Sequence, residues 1–409
     1  QINMPFRDPM YHSQIEINYV DRSETINRFA TVVGKLSECS QTRLSVDPLL
    51  LEKLVSHREG LIIVGNAQDL SQDDSAIEAL SQISQNLAWP IVVDVLNPLR
   101  NHQAKFQHLI CNYDLFLRSD LNSNRLQPKA VLQVGGLPTS KYFRQWLKEA
   151  QAVHFLLGKG FHNSDPLNAC SIPFSGTLDQ LSEQLSPCQA DKEWLNAWSE
   201  TESKAETWLN SWLEVCDPSF EGCIAYALSK SLKQISQVCL ANSMSVRYAE
   251  LFWQKNDSQT RMFCNRGANG IDGTLSTALG IAESGKPTVL LTGDLAFLHD
   301  SNALLNSAIH NLDLTILLVN NEGGGIFEHL AIASDPNFEH YFATPQTVDY
   351  ASLCAALSIH YQKLNSLQDL DKALKSIVGE GIRVFEIITD RKKDAETLRT
   401  IHDAYRQHA

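Results

Sequence analysis

The apolar positions of the chain fall into two series of short runs separated by helix-length amphipathic segments. Between about residues 25 and 185 the runs are Leu61-Ile-Ile-Val64 before Gly65, Pro90-Ile-Val-Val93, and Ala130-Val-Leu-Gln-Val134 before Gly135-Gly136. From about Phe220 to Ala409 they are Gln237-Val-Cys-Leu240, Met262-Phe-Cys264, Pro287-Thr-Val-Leu-Leu291, Leu314-Thr-Ile-Leu-Leu-Val319 and Ile382-Arg-Val-Phe-Glu-Ile-Ile388. Apolar runs of this length, several closing on Gly and alternating with helices, predict parallel strands buried on both faces. Between the two series, a Ser/Pro/Gln/Gly-rich stretch at 171–190 predicts the end of the first domain. Lys192–Glu214 then carries Trp194, Leu195, Trp198, Trp208, Leu209 and Trp212, a spacing that predicts an amphipathic helix with its tryptophans packed on a neighbouring domain. The predicted fold class is α/β with two open, mainly parallel-sheet domains. The expected organisation is a linker over 1–24, a middle domain over 25–185, a connecting helix over 186–219 and a second domain over 220–409.

Composition narrows the class. A chain of 409 residues exceeds a single core, and 43% hydrophobic with 20% charged residues describes an ordinary globular protein. With 34 Lys+Arg against 47 Asp+Glu, the formal charge of −13 repels nucleic acid and anionic membrane, so an anionic ligand needs local cations or a metal. The nine cysteines are odd in number and spread out, with no CxxC and no Cys/His cluster at zinc spacing, which predicts a reduced, cytoplasmic compartment. No apolar run approaches the roughly 18–20 residues of a membrane span, and no signal peptide pattern opens the chain. Gln1-Ile-Asn-Met-Pro-Phe6 reads like a strand end running into a linker and predicts a preceding domain.

The densest chemistry lies between Pro287 and Leu330. One apolar strand delivers Thr292-Gly293-Asp294 to its C-terminal end, and a helix built on Ala303, Leu304, Leu305, Ala308 and Ile309 returns the chain. A second strand then delivers Asn320-Asn321. By the usual handedness this is a right-handed βαβ unit, with both loops at the edge where open α/β sheets bind ligands. Asp294 offers a carboxylate, Asn321 an amide oxygen, and Glu322-Gly-Gly-Gly325 a flexible run whose carbonyl can turn inward. Three hard oxygen ligands suit Mg²⁺ completed by a diphosphate, and the amides of Leu295 and Ala296 beside Gly293 can donate to phosphate. Upstream, Asn265-Arg-Gly-Ala-Asn-Gly-Ile-Asp-Gly273 is a second glycine-rich loop. Arg247 and Arg266 follow successive strands; they suit either carboxylate recognition or surface ion pairs.

Gly293-Asp294, a spacer of 26 residues and Asn321 resemble the metal-diphosphate motif of thiamine-diphosphate enzymes. Together with the 265–273 loop, Gly293-Asp-Leu-Ala-Phe-Leu-His-Asp300 and Asn320-Asn-Glu-Gly-Gly-Gly-Ile-Phe327, the chain resembles the 2-succinyl-5-enolpyruvyl-6-hydroxy-3-cyclohexene-1-carboxylate synthase family of menaquinone and phylloquinone biosynthesis. Asn3-Met-Pro-Phe-Arg-Asp-Pro9 and Pro138-Thr-Ser-Lys141 are similar to family segments before and within the middle domain. The resemblance implies a transferase that decarboxylates 2-oxoglutarate on thiamine diphosphate and adds the succinic-semialdehyde carbanion to isochorismate. It implies Asp294, Asn321 and the Gly323 carbonyl as ligands of Mg²⁺ or Mn²⁺. It places Asn269, Gly270, Ile271, Gly293, Leu295, Ala296, Ile326 and Phe327 at the cofactor, with Ile271 beneath its rings. Ser243, Arg247, Arg266, Lys141 and Leu330 would engage the substrates, with Arg247 and Arg266 nearest the chemistry.

Two departures accompany the resemblance. Tyr142 follows Lys141 where some relatives have a second basic residue. The family's N-terminal pyrimidine-binding domain, which supplies the activating glutamate, is absent from these residues and would act in cis or in trans. The expectation is therefore a homodimer or homotetramer whose 409-residue chain alone is inactive. Another thiamine-diphosphate decarboxylase or carboligase, such as an acetohydroxyacid synthase, and a non-catalytic subunit are the alternatives.

Overall fold

The computed structural model describes residues 46–66, 74–158, 165–189, 191–232, 235–308, 312–375 and 381–408. The 1–24 linker, the Asn3–Pro9 segment and Ile309 lie outside them. Leu44–Ala409 forms one compact unit containing two six-stranded, all-parallel sheets.

The first sheet is built from β1 (Gly60–Val64), β2 (Ile91–Val93), β3 (Leu109–Ile110), β4 (Ala130–Val134), β5 (Val153–Gly158) and β6 (Ile172–Ser175), in the order β3-β2-β1-β4-β5-β6. Every residue of β1, β2 and β4 is buried, which is why these strands read as continuous apolar runs. The strand order reverses between β1 and β4, the place where such sheets bind dinucleotides. Here the backbone itself fills that crevice: a Cβ on Gly65 would stand 1.9 Å from the Gly136 carbonyl oxygen. The Gly65 carbonyl also accepts from Asn97 Nδ2 at 3.1 Å.

The 171–190 stretch, where the first domain is expected to end, is structured over much of its length. It contains β6 and the helix Leu178–Gln184, opened by a capping box between Thr177 and Gln180. Phe174, Leu178 and Leu181 are buried, and their apolar contribution is diluted in sequence by Pro173 and the surrounding polar residues.

The second sheet comprises β7 (Gln237–Leu240), β8 (Arg261–Phe263), β9 (Thr288–Gly293), β10 (Asp313–Asn320), β11 (His360–Leu364) and β12 (Gly381–Ile388), ordered β11-β12-β10-β9-β7-β8. β9 and β10 pair in parallel from Leu314 opposite Thr288 to Val319 opposite Gly293. Their connection is not one α-helix: a short helix, Asp294–His299, is followed by a 3₁₀ segment, Ser301–Ala308, in which Leu304 is buried and Leu305 is 63% exposed.

The long helix Lys192–Val215 joins the sheets. Trp198 is fully buried, with its ring edge-on to Phe116 at 5.8 Å and to Trp146 at 6.1 Å, both from the first half. Trp208 meets Tyr405 at 5.0 Å and Trp212 meets Phe220 at 6.3 Å, both from the second half. The expected packing of the tryptophans is thus two-sided. The Trp198 indole N–H has no acceptor among the described residues. Trp198→Phe is accordingly expected to cost only about 1–2 kcal/mol in urea unfolding, since volume is lost but no hydrogen bond.

Polar contacts lock the halves together. The segment after β2 and the segment before β8 exchange backbone bonds, Gln103 N–H to Asn256 O at 3.0 Å and Asn256 N–H to Arg100 O at 2.9 Å. The buried Arg100 guanidinium reaches Glu250 Oε1 at 2.6 Å, and Glu250 Oε2 accepts from the Val95 amide at 2.7 Å. Burial opposes ionisation of both groups. Glu250 more than offsets this for Arg100, whose charge is held, while the carboxyl of Glu250 is pushed up despite the pull of Arg100.

Candidate active site

In the second sheet the chain runs outward from β7 to β8 and in the opposite direction from β9 to β10, so the crevice opens between β7 and β9. The carboxyl ends there carry Ala241-Asn-Ser243, Gly293-Asp294 and, from β10, Asn320-Asn321. The structure therefore brings the two parts of the acidic-amide motif together.

The two asparagines have different partners. Asn320 Nδ2 donates to Glu386 Oε1 on β12 at 2.7 Å and is used within the sheet. Asn321 turns inward; its Oδ1 is buried with no hydrogen-bond partner among the described residues, while its Nδ2 faces Glu221 Oε2 at 3.4 Å. Asp294 is 1% exposed, and its two oxygens accept from the amides of Leu295 (2.7 Å) and Gly323 (2.8 Å). Burial raises its pKa to about 6, against the pull of those amides and of Arg391. Because the Leu295 amide caps Asp294, it is already engaged, unlike the sequence expectation that it faces phosphate.

The Glu322–Gly325 run is a packed turn rather than a flexible tether. Gly323 has φ +135°, and a Cβ there would lie 2.3 Å from the Ala343 carbonyl oxygen. The Gly324 amide donates to that same carbonyl at 2.8 Å, and Arg391 holds the Glu322 carbonyl at 2.9 Å and Glu328 at 2.9 Å. The Gly323 carbonyl accepts from the Gly325 amide at 3.0 Å and retains a second lone pair. A buried carboxylate, an otherwise unpartnered amide oxygen and a carbonyl fit a hard divalent cation such as Mg²⁺ or Mn²⁺. Among the described residues no group of three or more His, Cys, Asp or Glu is placed to hold a metal, so a cation here depends on amide, carbonyl and ligand oxygens.

Ile326 and Phe327 follow on the 3₁₀ segment Gly325–His329; both are half-buried, with Phe327 against Phe342 at 5.8 Å. Leu330 is 52% exposed. Across the crevice, Asn242 ties down the second glycine-rich loop by donating to the carbonyls of Asn265 (2.9 Å) and Gly270 (2.7 Å). Asn269 in that loop has φ +61°, and Ile271 is half-buried. Ser243 adopts φ 65°, ψ −130°, a backbone conformation costly for a residue with a side chain.

Three arginines converge beside this loop. Arg266 donates to Asn242 Oδ1 at 2.8 Å and Arg247 to the Ser243 carbonyl at 2.5 Å. Arg144, from the helix Lys141–Glu149, donates to the carbonyls of Pro138 (2.7 Å) and Leu137 (3.4 Å). Burial and the Arg266 charge lower the pKa of both Arg144 and Arg247, and the Arg144 charge lowers that of Arg247 further. None of the three has a carboxylate partner among the described residues. Arg144 had no signal in the sequence beyond its place one turn after Lys141. Lys141 itself stands on the exposed side of that helix, and Tyr142 packs inward, its hydroxyl on the Leu117 carbonyl at 3.1 Å.

Beneath Asn321 lies a buried acidic pair. The Glu221 amide donates to Asp394 Oδ1 at 3.0 Å. Burial, then Asp394, pushes Glu221 well above the carboxylate range, while the Asn321 amide pulls it down, as a nearby cation would. Burial raises Asp394 to about 7. Between about pH 4 and 7 the unfolded chain releases this proton while the folded chain keeps it, so stability falls as pH rises through that window. Asp394→Asn is expected to flatten this part of the profile, read as urea midpoints between about pH 5 and 8.

A parallel α/β sheet presenting an Asp/Asn oxygen pair beside its switch point, next to three arginines with no carboxylate partner among the described residues, defines an enzyme of the thiamine-diphosphate class. Family models bear this out: a C-terminal thiamine pyrophosphate binding domain matches residues 243–387, and a thiamine pyrophosphate enzyme middle domain matches residues 38–238. The chain is 39% identical over 408 residues to 2-succinyl-5-enolpyruvyl-6-hydroxy-3-cyclohexene-1-carboxylate synthase of Gloeothece citriformis, covering 98% of this chain and 69% of that protein. It is 39% identical to the synthase of Rippkaea orientalis (97% and 68% covered) and 40% identical to that of Trichodesmium erythraeum (96% and 68%). The chain belongs to the 2-succinyl-5-enolpyruvyl-6-hydroxy-3-cyclohexene-1-carboxylate synthase family.

Proposed function

We propose that this chain serves the thiamine-diphosphate-dependent joining of 2-oxoglutarate, after loss of its 1-carboxylate as CO₂, to isochorismate. The observation that carries the reading is the pairing of a cation-ready Asp294/Asn321 site with three arginines that lack carboxylate partners among the described residues. Thiamine diphosphate supplies the nucleophilic carbon and the electron sink for this chemistry.

Asp294, Asn321 and the Gly323 carbonyl hold Mg²⁺ or Mn²⁺ and through it the diphosphate. Ile271, Ile326 and Phe327 line the apolar part of the cofactor site and keep water from the reacting carbon. Arg144, Arg247 and Arg266 orient the carboxylates of two dicarboxylic substrates, and their mutual repulsion is relieved when those anions arrive. Ser243 and Leu330 complete the substrate side, with Lys141 at its solvent edge. The activating acid comes from a pyrimidine-binding domain, in cis or in trans, and the assembly is a homodimer or homotetramer.

The deciding assay follows consumption of 2-oxoglutarate and isochorismate with Mg²⁺ and thiamine diphosphate, with and without an added pyrimidine-binding domain. Turnover is expected only when that domain is present; preference for pyruvate over 2-oxoglutarate would favour an acetohydroxyacid synthase instead. In the active assembly, Arg144→Ala is expected to raise a substrate KM roughly 10–150-fold, the worth of one charged hydrogen bond. Lys141→Ala is expected to do less, because Lys141 is exposed to solvent.

A further inference from the structure

We propose that Glu221 is a positioning residue of the cation site, fixing which way the Asn321 amide faces. The inference rests on the reading of Asp294 and Asn321 as cation ligands. A terminal amide has two orientations that differ by exchange of its oxygen and nitrogen, and only one presents an oxygen to a cation. Glu221 is 5% exposed, and its Oε2 lies 3.4 Å from Asn321 Nδ2. That contact is long for a hydrogen bond, but the choice it enforces is binary. The Glu221 oxygen that faces the amide, Oε2, is an acceptor, so it is matched by the NH₂ group and not by Oδ1. The result is the buried Asn321 Oδ1 with no other partner among the described residues.

Glu221 is held in place independently of the site. It opens the helix Glu221–Lys230, and its amide is bonded to Asp394 of the C-terminal helix Arg391–His408. The carboxylate is thus delivered by the segment following the long tryptophan-bearing helix, about 100 residues before Asn321. Partners of this kind, behind the ligands themselves, typically change metal affinity about 10–100-fold.

The test measures Mn²⁺ binding to the 409-residue chain with thiamine diphosphate, by electron paramagnetic resonance of free Mn²⁺. Glu221→Gln is expected to weaken binding about tenfold, because a neighbouring amide accepts either orientation of Asn321. Asn321→Asp alone is expected to weaken it as well, by setting two carboxylates against each other. The double variant Glu221→Gln/Asn321→Asp is expected to recover to within a few-fold of the unmodified chain. In it the introduced amide donates to one oxygen of the introduced carboxylate and leaves the other for the cation. A merely structural role for Glu221 predicts no such rescue. Circular-dichroism melts of the cation-free variants identify the folded ones, and the double variant decides even where Glu221→Gln alone melts early. Unchanged affinity in Glu221→Gln, or a double variant no better than the weaker single one, overturns the proposal. Absent binding by the unmodified chain, or unchanged binding in Asp294→Ala, overturns the cation-site reading itself and the proposal with it.

Discussion

Asp294→Ala is expected to weaken cation-dependent binding of thiamine diphosphate by at least about a hundredfold, beyond the usual effect of a partner behind the ligands. Isothermal titration of thiamine diphosphate at fixed Mg²⁺ reads this directly. The side chain does two things at once. It contributes the only carboxylate of the proposed ligand set, and its oxygens receive the amides of Leu295 and Gly323. Asp294→Asn is therefore not a conservative change. An amide has one acceptor atom, so one of the two N–H donors would face an NH₂ group, and the turn that carries Gly323 would lose its tie to β9. Near-normal affinity in Asp294→Asn would sink this account.

Arg100→Met is expected to cost about 3–5 kcal/mol of unfolding free energy, because it strands the buried Glu250 carboxyl without a counter-charge. Glu250→Gln is expected to cost less, since it retains an acceptor for the Val95 amide while removing the charge. In the Glu250→Gln background, Arg100→Met should cost markedly less than it does alone, as read by urea unfolding in a double-mutant cycle. Equal costs in both backgrounds would assign the loss to Arg100's bonds to the Val93 and Glu250 carbonyls instead. This pair joins the first sheet to the helix Met244–Phe252, which also carries Arg247, so its loss should disturb the arginine cluster as well.

The central strands were legible because burial on both faces forces a continuous apolar run; β1, β4, β9 and β10 differ from the sequence reading by no more than two residues at either end. Of the four edge strands only β8 was, read as Met262-Phe-Cys264; β3, β6 and β11 were not, nor was the half-buried β5 beside β6. β3 is two residues long, β6 contains Pro173, and β11 has the pattern His-Tyr-Gln-Lys-Leu with only Leu364 buried. A strand at a sheet edge is defined by the neighbour that accepts it, which no local periodicity records. The β9–β10 connection was misread as one helix for a related reason: its apolar residues have helical spacing, but the segment pairs an α turn with a 3₁₀ stretch.

The sequence by itself determined the α/β class, the bridging helix with its four tryptophans, and the Asp294 and Asn321 pair. These features are local: each depends on residues that follow one another along an element or sit at the ends of consecutive parallel strands. The tertiary structure alone decided that Arg144 joins Arg247 and Arg266, that Asn242 holds the opposite loop, that Asn320 serves the sheet while Asn321 serves the crevice, and that Glu221 stands behind Asn321. Charge, hydrogen bonding and burial act through space, so a side chain acquires such a role only when folding brings remote segments within a few ångströms of one another.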